Sequence, residues 1–149
     1  MSATAELTDE ELLEGFIDTT LPAELFHHRQ HVRVAWLFVR RHGMPDALRE
    51  FPAALRRFAN AKGATTLFHT TITWAYLLLI HERQQRSPAA DWETFAAANA
   101  DLLGWKPSIL DELYRPETLW SEHAKQTFVM PDRALAPLTP RATAQRQTG

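Results

Sequence analysis

The sequence contains no cysteine and only five glycines among its 149 residues. Without cysteine the chain can form no disulfide, thiolate metal site or iron–sulfur cluster, and it has no cysteine nucleophile. Its longest near-apolar run, Ile72 to Ile80, is far shorter than the ~20 residues that cross a bilayer. The first residues, MSATAELTDEELLEG, lack the basic start and apolar stretch of a signal peptide. Because no export signal and no membrane-spanning run is visible, we expect a cytoplasmic protein without a membrane partner.

Charge is unevenly distributed over the first part of the chain. Residues 1–28 carry seven acidic residues and no Lys or Arg, whereas residues 29–62 carry eight basic and two acidic residues. Because the net charge is −2 and the aromatic residues do not alternate with the arginines, the sequence predicts no nucleic-acid partner. It favours instead either an acidic first helix packed against a basic neighbour or charged faces that are simply solvated.

Apolar segments with helical periodicity, separated by proline and glycine, predict an all-α fold. We expect a single-domain bundle of about five to six helices over residues 1–131, with a buried central helix 4, and a flexible tail over residues 132–149. The predicted helices span 9–18, a segment that ends at His42, 46–60, 66–86 and 91–103, with short helical turns after Ser108, Pro116 and Ser121. Pro52 should kink or split the third helix. Helix 4 is apolar on nearly every side, which predicts that its neighbours enclose it.

Three of the seven histidines lie in the segment FHHRQH, at His27, His28 and His31. Helical spacing places His31 opposite a basic face, with His28 and His27 to either side of it. That face, called the arginine face below, consists of Arg29, Arg33 and Arg40. Trp36 falls on the same side, where another segment should cover it or a guanidinium should stack on it. We expect His27 to be a cap or rim residue.

A second polar set lies in predicted helix 4. Helical spacing aligns His69 with Thr73, Tyr76 and Ile80 along one stripe of that helix. A buried polar group costs free energy unless it is paired, and a core of this size would normally use leucine or valine at such positions. Two helices that both direct imidazoles towards the interior therefore predict a shared polar pocket.

A divalent transition metal is the simplest common partner for these imidazoles. The H-x-x-H spacing puts His28 and His31 on one face of a helix, and His69 would supply a third neutral nitrogen. Imidazole ligands suit Zn, Fe, Cu or Ni better than Mg or Ca. Tyr76 and Thr73 are then the candidate catalytic residues, which orient the bound group. The competing interpretation is that each of the three histidines is a core residue bonded to a carbonyl group.

Three classes of function fit these features. The first is a metal-dependent enzyme of oxygenase or hydrolase type that acts on a small molecule at the open metal positions. The second is a metal-free small-ligand or acid–base module with His31 as general base. The third is a protein-interaction module that uses Trp36, Trp120 and the arginine face. The sequence leaves the substrate and the oligomeric state open, a homodimer included.

Two motifs resemble those of a group of small bacterial proteins with no established activity. Phe26 to Trp36 matches F-x-H-x-x-H-[VL]-R-x-A-W, and Phe68 to Thr73 matches [YF]-H-x-T-x-T. A third piece, from Glu117 to Asp132, resembles their L-x-S-x-x-A…PD ending, so that the likeness covers most of residues 7–138. The resemblance implies that the site histidines are His28, His31 and His69. It places His27 at a variable position.

Overall fold

The computed structural model describes residues 6–133, and every regular element in that range is helical. The α-helices are α1 (Asp9–Ile17), α2 (His28–His42), α3 (Asp46–Ala61), α4 (Thr70–Arg86), α5 (Trp92–Ala98), α6 (Pro116–Leu119) and α7 (Glu122–Gln126). Short 3-10 turns occupy Ala23–Leu25, Thr65–Leu67, Ala100–Leu102 and Ile109–Glu112. The all-α prediction is thereby confirmed for the part of the chain that the structure describes.

The first helix packs on the second through charge as well as through apolar surface. The Thr8 hydroxyl accepts a hydrogen bond from the Glu11 N–H, and the Glu11 carboxylate accepts one from the Thr8 N–H, which is a capping box. Arg33 donates two hydrogen bonds to Asp9 Oδ1, at 3.1 and 2.7 Å. The expected contact between an acidic helix and a basic neighbour is therefore present at this pair. The buried face of α1 consists of Leu12, Leu13 and Phe16.

The α2 helix begins at His28 and stops before Gly43, whose φ of 72° is a conformation that glycine adopts without strain. Trp36 lies on the arginine side of this helix and is nevertheless 0% exposed. Its indole N–H donates to Gln84 Oε1 at 3.0 Å, and the Arg40 guanidinium lies 4.8 Å from its ring centroid. Both expected forms of cover, another segment and a stacked guanidinium, are thus found.

α3 runs without a break from Asp46 to Ala61, so the structure excludes the split, one of the two effects expected of Pro52. The predicted start of α4 is wrong. α4 begins at Thr70 and not at residue 66, because residues 65–67 form a 3-10 turn and His69 has the extended backbone of an N-cap. His69 therefore precedes the helix on which the sequence pattern places it.

The α4 helix packs against α2, α3 and α7, yet its neighbours do not enclose it on every side. Leu77 is 0% exposed, whereas the adjacent Leu78 is 39% exposed. Successive residues of an α-helix are rotated by about 100°, so a run of three leucines cannot face one side. The expectation of complete enclosure is wrong at Leu78. Within residues 6–133 no helix combines the length and the apolar character that a bilayer crossing needs.

The segment after α7 returns to the helical domain. The Asp132 carboxylate accepts hydrogen bonds from the Arg115 N–H and the Thr118 hydroxyl, and the Arg133 N–H donates to the Leu113 carbonyl. These two residues, which the sequence pattern assigns to the tail, are therefore held against the domain. The rest of the predicted tail, residues 134–149, lies outside the described residues.

Candidate functional site

A half-open cavity of about 750 Å³ lies among α2, α3, α4 and the α6–α7 region. All five residues predicted from the sequence line it: His28 and His31 from α2, and His69, Thr73 and Tyr76 from the start of α4. The two predicted segments thus share one cavity, but its wall is mostly apolar and not polar as the sequence pattern predicts. Most of the remaining lining is apolar and aromatic, including Phe26, Phe51, Phe58, Phe68, Trp105 and Trp120.

His69 uses both of its ring nitrogens to hold the backbone. Nδ1 accepts a hydrogen bond from the Ile72 N–H at 3.1 Å, and Nε2 lies 2.7 Å from the carbonyl oxygen of Leu119. A carbonyl only accepts, so Nε2 carries the proton and Nδ1 carries the lone pair. Burial lowers the pKa of His69, with the charge of Lys125 acting in the same direction. The imidazole is an N-cap for α4 and a tie to the end of α6.

His28 is also tied to the backbone, but only through one nitrogen. Its Nε2–H donates to the Leu102 carbonyl at 3.0 Å, which leaves Nδ1 as an acceptor. The ring lies 4.9 Å from the Trp105 ring and 5.1 Å from the Tyr76 ring, centroid to centroid. Burial lowers the pKa of His28, and the hydrogen bond to Leu102 opposes part of that change.

His31 differs from the other two because its ring makes no hydrogen bond with the described residues. It is half-buried, packs against Phe26 at a centroid distance of 4.3 Å and lines the cavity. Burial lowers the pKa of His31 to about 4, and the neighbouring charge of His28 adds to the shift. At neutral pH the ring is an uncharged imidazole, with one donor and one acceptor for whatever enters the cavity.

The two candidate catalytic side chains are placed unequally. Thr73 lies under the cavity, but its hydroxyl donates to the His69 carbonyl at 2.8 Å. The Tyr76 hydroxyl is buried without a hydrogen-bond partner among the described residues. Burial raises the pKa of Tyr76 to about 12, although the Ser108 hydroxyl is near enough to oppose part of the shift. Tyr76 is therefore a protonated phenol at neutral pH.

The donor set fits a three-histidine metal site poorly. A metal ion needs a nitrogen lone pair from each imidazole, and His69 gives its only lone pair to the Ile72 N–H. His28 and His31 retain lone pairs, but they are only two ligands. No group of three or more His, Asp or Glu side chains is placed to hold a metal within residues 6–133. For His28 and His69 the geometry instead matches the competing interpretation, a core histidine bonded to a carbonyl.

The residues expected to form a protein-interaction surface mostly make contacts within the domain itself. Trp36 is not exposed but fully buried, so it offers nothing to a partner. Arg33 is bonded to Asp9, and Arg40 donates to the Ala90 carbonyl. Trp120 is 58% exposed, as that hypothesis requires, but it also lines the cavity.

His27 occupies the N-cap of α2 and is exposed, and it is absent from the cavity lining. This is the cap or rim position expected for it.

The sequence pattern did not identify Phe26, Trp105, Lys62 or Lys125 as parts of the site. Phe26 and Trp105 precede or follow helices and have no periodicity to reveal their direction. Both lysines lie near helix ends, where charged residues are common for other reasons.

Comparison with protein-family models, with curated proteins and with solved structures finds no match to this chain. The resemblance to small bacterial proteins therefore rests on its motifs alone.

Proposed function

We propose that this protein binds a small, mostly apolar organic molecule in the cavity, and that His31 makes a hydrogen bond to a polar atom of that molecule. A volume of about 750 Å³ is within the range of small-molecule sites, which combine apolar walls with a few polar groups. The observation that carries the proposal is the neutral His31 ring, which faces this cavity without a hydrogen bond to the described residues.

A polar group in the wall of an apolar cavity gains free energy by pairing with a polar atom, either of the protein or of a ligand. His28 and His69 find theirs in the Leu102 and Leu119 carbonyls. His31 packs against the ring of Phe26 and makes no hydrogen bond with the described residues. A ligand hydroxyl, amine or carbonyl oxygen would satisfy one of its ring nitrogens. The same ring would act as an acid–base group only on substrates whose chemistry tolerates a weak base, because its pKa is about 4.

A neutral fluorescent probe tests whether the cavity takes apolar molecules. N-phenyl-1-naphthylamine should bind the wild-type protein with a saturable increase in fluorescence. Ala59→Trp should abolish this binding, since Ala59 is a half-buried residue of the cavity wall and the larger side chain fills the space. Ala53→Trp is the matched control, because Ala53 is exposed on the same helix and lies outside the lining. Equal binding by the two variants would refute the proposal.

The role of His31 is tested by two competitors of similar size. 2-Naphthol carries a hydroxyl where 2-methylnaphthalene carries a methyl group, and both should displace the probe. The ratio of their affinities should shift against 2-naphthol by about 2- to 10-fold in His31→Phe, the effect of one lost hydrogen bond. His123→Phe is the control, since His123 is an exposed residue of α7. An unchanged ratio in His31→Phe would show that His31 does not contact the ligand's polar atom.

Binding of a divalent transition metal is the second candidate function. His28 and His31 are spaced one helical turn apart, both line the cavity, and the charge of one acts on the other. Each retains a lone pair, so the two residues would supply two imidazole ligands to Zn, Fe, Cu or Ni. His69 would complete it only by giving up its bond to the Ile72 N–H. Water or a ligand from solution would otherwise fill the remaining positions.

Cobalt is a suitable spectroscopic probe for this candidate. Addition of Co²⁺ should produce visible absorption bands in the wild-type protein and in His27→Ala, but not in His31→Ala, because His27 lies outside the cavity lining. Bands of equal intensity in His31→Ala, or none in the wild-type protein, would end this candidate. The outcome leaves the fluorescent-probe experiment unaffected.

A further inference from the structure

We infer that the cavity selects organic acids, that is, apolar molecules with one carboxylate or similar oxyanion, and that Lys62 and Lys125 hold the negative charge. The inference rests on the proposed function, since it names the class of molecule that the same cavity takes. The observation behind it is the set of charged residues in the cavity lining, which have no part in the role proposed for His31.

The lining contains two ammonium groups and one carboxylate. Lys62 and Lys125 both line the cavity and both are half-buried. Neither lies within salt-bridge distance of an acidic side chain among the described residues. The Lys62 ammonium lies 5.4 Å from the centroid of Phe58, itself a wall of the cavity. Two half-buried cations without an acidic partner, beside an apolar chamber, complement the shape and charge of an amphipathic anion.

The positive charge extends beyond the two lysines. Arg56 lies over the Phe68 ring at 4.0 Å and lines a smaller adjoining pocket together with Lys125. The charge of Lys125 also acts on His69, in the cavity wall. The carboxylate of Glu122 opposes an anion, but it is exposed and accepts a hydrogen bond from the Gln126 amide at 3.1 Å. The charged side chains that line the cavity and the adjoining pocket, Arg56, Lys62, Lys125 and Glu122, therefore carry a positive balance.

A matched pair of probes separates charge from apolar contact. 1-Anilinonaphthalene-8-sulfonate and N-phenyl-1-naphthylamine share the same ring system, and only the first carries an anionic group. The wild-type protein should bind the sulfonate more tightly. Lys62→Gln and Lys125→Gln should each weaken sulfonate binding by about 2- to 5-fold, the range for an ion pair that water partly screens, and change binding of the neutral probe by less than about 2-fold. Lys106→Gln is the control, because Lys106 is exposed and lies outside the lining.

The results separate the selectivity for anions from the binding of small apolar molecules. Loss of the preference for the sulfonate in the double variant Lys62→Gln/Lys125→Gln, with the neutral probe still bound, supports the inference. A preference that survives in the double variant, or equal binding of the two probes by the wild-type protein, overturns the inference and leaves the proposed function standing. If Ala59→Trp, the variant that fills the cavity, binds both probes as the wild-type protein does, the proposed function itself fails.

Discussion

Replacement of His69 by alanine should destabilise the protein although this residue lies in the wall of a ligand cavity. The change removes the cap on the Ile72 N–H, which is typically worth about 1 kcal/mol. It also leaves the Leu119 carbonyl, on a residue that is 1% exposed, without its partner, at a cost of about 1–3 kcal/mol. The expected loss is therefore about 2–4 kcal/mol, or a fall in Tm of about 5–15 °C for a chain of this length.

Urea unfolding followed by circular dichroism measures this loss, and two further variants give it meaning. His69→Asn should recover about 1 kcal/mol, because asparagine is a good N-cap residue but does not reach Leu119. His123→Ala, at an exposed position, should stay within about 0.5 kcal/mol of the wild-type value. A stable His69→Ala variant would refute the structural role of His69. The same role would be refuted if a metal chelator lowered the unfolding midpoint of the wild-type protein but not that of His69→Ala. His69 would then be a metal ligand.

Two other predictions concern stability. The folded-state pKa of His31 is about 4, below the ordinary value of 6.5, so the unfolded chain binds more protons between these values and stability falls as the pH drops from about 6.5 to 4. We expect His31 to account for about 2 kcal/mol of the difference in the free energy of unfolding between pH 8 and pH 5. Urea unfolding of His31→Phe should therefore depend less steeply on pH than that of the wild-type protein. Parallel curves for the two proteins would contradict this. Leu78→Asp should lower the free energy of unfolding by less than about 1 kcal/mol because Leu78 is 39% exposed. Leu77→Asp, at a site that is 0% exposed, should abolish cooperative thermal unfolding. Equal Tm values for the two variants would show that α4 is packed otherwise.

The sequence predicts the helices well where the signals are local. The capping boxes at Thr8 and Ser108, the glycine after His42 and the proline that opens α6 act within a few residues, and each marks a helix end in the structure. The start of α4 is misplaced because residues 65–69 carry no such signal. The histidine at the true N-cap resembles the continuation of the polar stripe that follows it.

The candidate site is likewise predicted only where local sequence signals determine it. Periodicity brings His28, His31 and the α4 residues to one cavity, as the structure does. Periodicity does not reveal hydrogen bonds between segments far apart in the chain, and these decide the chemistry. The Leu102 and Leu119 carbonyls lie at the ends of a 3-10 turn and of α6, whose positions beside His28 and His69 depend on the whole fold. Only the structure distinguishes the two tied histidines from His31.

A crystal structure of the protein with 2-naphthol tests the central claim most directly. We expect the naphthalene ring to lie in the cavity among α2, α3 and α4, with the naphthol oxygen about 2.7–3.0 Å from a ring nitrogen of His31. His28 and His69 should keep their bonds to the Leu102 and Leu119 carbonyls. A cavity without 2-naphthol at saturating concentration, or a bound molecule whose oxygen faces away from His31, would contradict the account.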